Sequence, residues 1–345
     1  MICILVQACA SATTTPGSDR GQAKTHYEKA LAFYAKARYQ DAVEEYHLAL
    51  QDWPRYREAH FGLGVALIKT GFYRGAILAF QRAIELQPDY TEAYLNLGVA
   101  QSKLAHHGQA IISFRMAISL ERDLSEAWFP LAQAYAAIEN ADSSIVAYDR
   151  AVGARPYDAH IALASLYETL GDSRERVTHL QSASEADSAR YEPWFELGGI
   201  LEAEGDYVEA AKAYIAVRDR NPNLPGLLSK LASVYASSGN QAEAAKLYGE
   251  VVSANPEDAT ALFNLAVTYD ATGRLEEAIE TYKRSITHRP EFGDAYLNLA
   301  IDLIEKRSLV EALEAYEAFL LYEREGERRG QVEKIVSQLR AALGR

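Results

Sequence analysis

The side chains able to do chemistry are scattered along this sequence rather than gathered into a reactive motif. His106 and His107 are adjacent, so a helix would point them to different sides, and no third metal ligand accompanies them. The sequence contains no Walker-type phosphate loop, no HExxH zinc pattern and no GxSxG nucleophile elbow. Its only cysteines, Cys3 and Cys9, lie within the first nine residues. The remaining chain therefore can form no disulfide framework. We predict a protein that is not an enzyme and holds no cofactor and no metal.

Charge divides this 345-residue chain unevenly. Residues 1–124 carry 13 Lys+Arg against 12 Asp+Glu, whereas residues 125–345 carry 22 against 36. An acidic surface argues against nucleic acid, whose phosphates need a clustered basic footprint. Two interpretations stay open, a self-repelling soluble surface and a preference for basic partner segments.

The elements that must position these side chains follow a fixed period. Pro54 and Pro88 are 34 residues apart, and Pro222, Pro256 and Pro290 repeat the same step. With Pro54 set at position 32, small residues recur at positions 8, 20 and 27, and an aromatic residue recurs at position 24. Within each half-repeat the apolar residues keep helical spacing, and glycine stands where the first helix must end. A period of this length predicts stacked helical hairpins.

Nine repeats are predicted over residues 23–326, with starts at 23, 57, 91, 125, 157, 191, 225, 259 and 293. The step shortens by two residues before 157, and the repeat 157–190 has Arg176, Leu180 and Ser188 where the others have a small residue, an aromatic residue and proline. This is either repeat drift or a hinge between 23–156 and 157–326. A hinge would make hydrogen exchange in 172–190 the fastest of any internal helix. Pro130 predicts a kink or a late helix start.

Segments such as YLNLG at 94–98 and YLNLA at 296–300 carry a resemblance to the tetratricopeptide repeat (TPR) family. The resemblance implies an all-α fold, a right-handed superhelical solenoid of antiparallel helix pairs. The first helix of each pair, helix A, would line a concave groove. Residues 327–345 read as a capping helix and tail, since Val332, Val336 and Leu339 form an apolar stripe.

By resemblance to the family, positions 2, 5, 6, 9, 12 and 13 of helix A face the groove. Position 5 is mostly apolar and position 6 carries three asparagines, whose amides suit a ligand backbone. Carboxylates at Glu192, Glu196 and Glu202, with Asp158, Glu168 and Asp294, would make the C-terminal groove negative. Lys230 is the only cation at position 6, so the carboxylate clamp of some family members is not expected. The predicted groove residues are Tyr27, Phe61, Leu95, Asn96, Phe129, Phe195, Glu196, Phe263, Asn264, Leu297 and Asn298.

Residues 1–22 combine an apolar start with a polar, aperiodic tether. Val6-Gln7-Ala8-Cys9 resembles a bacterial lipobox, which implies a lipid anchor on Cys9 and a site in the cell envelope. The segment lacks a basic n-region and is short for a signal peptide, so either translation starts upstream or this is only an apolar N-terminus. We favour the bacterial cell envelope, facing the periplasm, over the cytoplasm.

The function that these features predict is a non-catalytic scaffold for protein–protein interaction. Its groove would take an extended or helical segment of another protein, with apolar anchors and basic flanks. Two alternatives stay open, a cytoplasmic TPR regulator and an accessory subunit of a secretion, pilus or glycosyltransferase complex.

Overall fold

The computed structural model describes residues 19–323 and 325–344, and all regular structure in that part of the chain is helical. This confirms the all-α prediction. The helices are α1 (Arg20–Ala35), α2 (Tyr39–Asp52), α3 (Arg57–Lys69), α4 (Tyr73–Leu86), α5 (Thr91–Lys103), α6 (His107–Leu120), α7 (Trp128–Ala136), α8 (Ala141–Ala151), α9 (Pro156–Leu170), α10 (Ser173–Ala186), α11 (Glu192–Glu204), α12 (Tyr207–Arg220), α13 (Leu227–Ser237), α14 (Gln241–Ala254), α15 (Ala259–Ala271), α16 (Leu275–His288), α17 (Gly293–Glu305), α18 (Leu309–Tyr322) and α19 (Glu327–Leu343).

Successive helices pack as antiparallel pairs, such as α1 with α2 and α3 with α4, and each helix contacts the next one along the chain within residues 20–170 and within residues 173–343. The chain divides into two compact units, Met1–Asp172 and Ser173–Arg345, called here the N-terminal and C-terminal units. The division falls between α9 and α10, inside the repeat 157–190, whereas the hinge hypothesis placed it at 156/157. The hydrogen-exchange behaviour of residues 172–190 stays a prediction.

The core between the two helices of a repeat is made from one aromatic ring and several small residues. Phe80 and Phe114 are fully buried, and each ring fills the place that a side chain at Gly64 or Gly98 would occupy. A Cβ atom on Gly98 would lie 2.6 Å from a carbon of the Phe114 ring. Close helix approach therefore depends on the small residues that the repeat pattern singled out.

Pro130 sits in the first turn of α7, where its missing N–H removes no helical hydrogen bond. A 3-10 turn, Ser125–Ala127, precedes this helix, and α7 begins only at Trp128. The structure therefore confirms a late helix start at this proline.

The turn between the two helices of each repeat uses a left-handed residue at position 15. Glycine fills it at Gly71, Gly171, Gly205, Gly239 and Gly273, with φ between 71° and 84°. In the other four repeats, Ala37, Ala105, Glu139 and Arg307 adopt φ between 57° and 63°. A side chain in this region is strained by its own Cβ atom, whereas glycine is not.

We expect Arg307→Gly to stabilise the pair α17 and α18 by about 0.5–1 kcal/mol, because relief of left-handed strain exceeds the entropy cost of glycine. Native-state hydrogen exchange of the two helices measures the change. The matched control is Gly273→Ala, at the same position of the preceding repeat, which should destabilise its own pair. Equal signs for the two variants would contradict this account.

Candidate functional site

The residues predicted at position 5 of helix A are all half-buried in the structure. Each aromatic member packs on the position-24 ring of its own repeat, with ring centroids 5.4–5.9 Å apart. Three of them also contact the aromatic residue that closes the repeat: Tyr27 on Tyr56, Phe61 on Tyr90 and Phe263 on Phe292. The row therefore joins the core to the exposed face of the A helices. Its members are Tyr27, Phe61, Leu95, Phe129 and Ile161 in the N-terminal unit, and Phe195, Ser229, Phe263 and Leu297 in the C-terminal unit.

The position-6 asparagines differ in how free their amides are. Asn96 donates to the carbonyl of Glu92 in its own helix at 2.8 Å. Asn298 donates to the hydroxyl of Tyr282 at 3.2 Å. Asn264 makes no side-chain hydrogen bond to the described residues and is half-buried, so its amide can both donate to and accept from a ligand backbone.

The carboxylates of the C-terminal unit are less free than the sequence indicated. Glu196 pairs with Arg176 at 3.3 Å, and Asp294 pairs with Arg328 of α19 at 2.8 Å. Glu202 accepts a hydrogen bond of 2.8 Å from Tyr214 and lies 3.8 Å from Lys230. Cations from neighbouring helices therefore reduce the negative charge expected here. Asp158 and Glu168 belong to the N-terminal unit.

Lys230 connects the charged and the aromatic parts of this site. Its ammonium nitrogen lies 5.9 Å from the ring centroids of both Phe195 and Tyr214, within the range of a cation–π interaction. Burial is the main cause that raises the pKa of Tyr214, so this hydroxyl stays protonated and donates to Glu202. Lys230 and Glu202 therefore fix the positions of the Phe195 and Tyr214 rings through these interactions.

A buried carboxylate at Asp302 was missed by the sequence analysis. The side chain is only 2% exposed, and its Oδ2 atom has no hydrogen-bond partner among the described residues. Burial raises the pKa of Asp302 to about 7, and the carboxylates of Asp270 and Glu305 add to the effect. One signal could have found it: position 10 carries no charged residue in the eight earlier repeats, and it is buried in five of them, at Ala66, Ala100, Ala134, Val234 and Thr268.

Asp302 predicts a specific pH dependence. Its folded pKa lies above the ordinary value of 3.8, so the native state holds the proton more tightly and loses stability as pH rises from about 4 to about 7. We expect wild-type α17 to lose about 2 kcal/mol of stability relative to Asp302→Asn between pH 5 and pH 8. Hydrogen exchange of α17 amides in both proteins measures the difference. A difference that stays constant with pH would contradict the prediction.

A second concave site lies in the N-terminal unit, between α6, α7 and α8. This cavity of about 530 Å³ is mostly apolar, with Trp128, Tyr135 and Ile118 among its lining residues. On the outer face of α6, Ile112 is 65% exposed, and Met116 lies one turn further along. The repeat pattern assigned Trp128 only to packing and did not predict a cavity.

Other candidate features give limited information. Among residues 19–323 and 325–344, no group of three His, Cys, Asp or Glu side chains is arranged to hold a metal ion. In the same part of the chain, no helix has both the length and the hydropathy needed to span a bilayer. Cys9, the predicted lipid anchor, lies outside the described residues.

Family comparisons agree with the repeat pattern. A family model described as Tetratricopeptide repeat matches residues 27–71, 161–225 and 229–291. A second, described as TPR repeat, matches residues 66–104, and a third, also described as Tetratricopeptide repeat, matches residues 91–124. No curated protein matches the chain.

Several solved structures are similar to parts or most of the chain. A crystal structure of MamA is 24% identical over 46% of this chain and 94% of its own, with a TM-score of 0.45. The TPR domain of P58(IPK) is 17% identical over 93% of this chain and 98% of its own, with a TM-score of 0.31. The first TPR of Spaghetti (RPAP3), bound to the HSP90 peptide SRMEEVD, is 21% identical over 35% of this chain and 97% of its own, with a TM-score of 0.35.

Proposed function

Because the chain belongs to the tetratricopeptide repeat family and is a protein-interaction scaffold, we propose that the A helices of its C-terminal unit bind a segment of a partner protein. The segment has apolar anchors and basic flanks, and the protein acts without catalysis. The observation that carries this proposal is the neighbourhood of Phe263 and Asn264 on α15. There a half-buried ring lies beside an amide that has no hydrogen bond to the described residues.

The chemistry of α15 suits a peptide. Apolar contact with the exposed edge of Phe263 supplies an anchor, while the Asn264 amide can donate to a carbonyl and accept from an N–H of the ligand backbone. Leu297 and Asn298 occupy the same two positions on α17, one repeat later, but the Asn298 amide already donates to Tyr282. Hydrogen bonds to a ligand backbone tolerate many peptide sequences, because they do not depend on the side chains of the ligand.

The basic flanks follow from the carboxylates on the same face. Glu196 is half exposed and its ion pair with Arg176 is long, at 3.3 Å, so a partner cation can compete for it. Exposed ion pairs contribute little stability, about 0–1 kcal/mol. Replacing Arg176 by a cation of the partner therefore costs little free energy.

The double variant Phe195→Ala with Glu196→Lys tests the proposal. It removes an anchor and reverses a charge, so we expect at least about a tenfold loss of partner binding. Affinity purification from the native organism, with quantitative mass spectrometry, measures this loss. Phe72→Ala is the control, because Phe72 is 63% exposed and lies outside the A helices. Circular dichroism checks that the fold survives. Unchanged partners in the double variant would overturn the proposal.

We also propose that Cys9 carries a lipid that tethers the scaffold to a bacterial envelope membrane. Support comes from the sequence alone, from Ala8 before the cysteine and the polar tether after it. The Cys9→Ser variant should move the protein from the detergent phase to the aqueous phase. Mass spectrometry of the mature N-terminus gives the direct result, and an unmodified Cys9 would refute the tether.

A further inference from the structure

Large apolar side chains are exposed at one position of three consecutive repeats in the N-terminal unit. Position 22 carries Leu78 on α4, Ile112 on α6 and Val146 on α8, each between 59% and 69% exposed. The six other repeats hold Glu44, Thr178, Lys212, Lys246, Glu280 and Glu314 there, and all six are exposed. The fold therefore accepts polar and charged residues at position 22, and packing within the chain does not explain the three apolar ones, called here the outer row.

The outer row borders the cavity between α6 and α8. Val146 lines this cavity of about 530 Å³, together with Ile118, Trp128 and Leu131. The last two come from α7, which contacts both α6 and α8. Because Val146 belongs to both, the row and the cavity form one apolar surface on the N-terminal unit. An exposed apolar surface that leads into a cavity is typical of an interaction site.

Two cations without partners flank the outer row on α4 and α6. Arg74 lies one turn before Leu78, and Arg115 lies one turn after Ile112, so each arginine shares a helix face with its apolar neighbour. Among the described residues, neither arginine forms an ion pair or a side-chain hydrogen bond. The helix α6 carries no acidic residue, and the only one on α4 already pairs with Arg82. A partner that supplies carboxylates therefore complements this face.

A helix is the partner structure that suits this surface. The backbone groups inside α4, α6 and α8 already bond within each helix, so an extended segment finds no backbone partner here. A helix satisfies its own backbone groups and presents apolar residues along one face. A small ligand in the cavity would leave Leu78 and Ile112 in water, whereas a helix laid across the second helices covers them.

We propose that the outer row and the cavity dock an acidic amphipathic helix of a partner protein. The apolar face of that helix covers the row and inserts a side chain beside Trp128, while its carboxylates pair with Arg74 and Arg115. Asp142 lines the cavity from α8 and repels those carboxylates, so it orients the partner with its acidic side toward α4 and α6. This surface lies on the second helices, outside the groove, and the inference does not rest on the proposed function. It gives the scaffold a second binding site.

The test uses the full chain labelled with 5-fluorotryptophan, whose three resonances come from Trp53, Trp128 and Trp194. Three synthetic peptides of equal length are the probes: a helix with leucine on one face and glutamate on the other, the same helix with lysine in place of glutamate, and the glutamate peptide in scrambled order. We expect the glutamate helix to shift the Trp128 resonance, and to bind at least about tenfold more tightly than the other two peptides. Trp128→Phe assigns the resonance by its loss.

A neutral double variant tests the apolar contact. Ile112→Thr with Val146→Thr introduces the residue that Thr178 already holds at position 22, so the fold is kept and no charge changes. We expect it to weaken binding of the glutamate helix at least about tenfold, since two buried apolar side chains are lost from the contact. Lys212→Thr, at the same position of α12, is the matched control and should leave this binding unchanged.

A charge reversal tests the pairing with Arg115. Arg115→Glu should weaken binding of the glutamate helix and strengthen binding of the lysine helix, which an unspecific apolar contact cannot do. Binding that neither variant changes, or a Trp128 resonance that ignores all three peptides, would overturn the docking surface. Dimerisation of the chain, or adsorption to phosphatidylglycerol vesicles, that the threonine variant abolishes would also overturn it, because the outer row would then serve a second copy or a lipid surface.

Discussion

Replacement of Phe80 by alanine should lower the stability of the pair α3 and α4 by about 3–5 kcal/mol. The ring is fully buried, and its neighbours include Ala76, Leu97 and Ala100. Loss of the ring leaves a cavity lined by small residues, which cannot collapse to fill it. Each repeat contacts only its neighbours, so we expect the damage to centre on α3, α4 and α5.

Native-state hydrogen exchange, resolved along the chain, measures the effect of Phe80→Ala. Phe72→Ala is the matched control, since this ring belongs to the same repeat but is 63% exposed, and its loss should change stability by less than about 0.5 kcal/mol. Equal effects of the two substitutions, or uniform destabilisation of α1–α19, would show that Phe80 is not the centre of a local core.

Gly98→Val should destabilise α5 and α6 by about 3 kcal/mol through overpacking. The nearest carbon of the Phe114 ring would lie 2.6 Å from the new Cβ atom, and valine adds two further methyl groups at this contact. Other repeats hold alanine at the position of Gly98, as at Ala266, which faces the Tyr282 ring. A single methyl group is therefore accepted at this position where the facing ring is placed to make room for it.

Gly108→Val is the control for this second prediction. Gly108 lies in the first turn of α6, with no atom within 4 Å of a Cβ atom built there. Valine should be tolerated at Gly108, because it has a higher helix propensity than glycine. Thermal denaturation of both variants, followed by circular dichroism, compares them. A smaller loss for Gly98→Val than for Gly108→Val would refute close ring contact at Gly98.

Much of the fold could be predicted because each repeat restates the same local chemistry. The helices, the left-handed turns at residues such as Gly71 and the late start of α7 depend on residues close together in sequence. The four turns without glycine were harder to predict, because residues such as Ala37 and Arg307 do not themselves indicate a left-handed φ angle.

The candidate site was predicted only in part. Phe263 and Asn264 could be placed on one face of α15 from the repeat register. The ion pairs that reduce the charge of Glu196 and Asp294 could not, because Arg176 comes from the preceding repeat and Arg328 comes from α19. An ion pair between two such helices depends on how the helix pairs stack, and the repeat register of the sequence does not specify that.

By itself, the sequence determined the 34-residue period, the helical hairpins and the family, because periodic placement of small, apolar and aromatic residues suffices for these. Only the tertiary structure decided which side chains are left without partners. The row of position-5 residues became half-buried because the second helix of each repeat places a ring against each of its aromatic members. Asp302 became an unpaired buried carboxylate because α15, α16 and α17 close around it, and burial is a property of the assembled helices rather than of the residue.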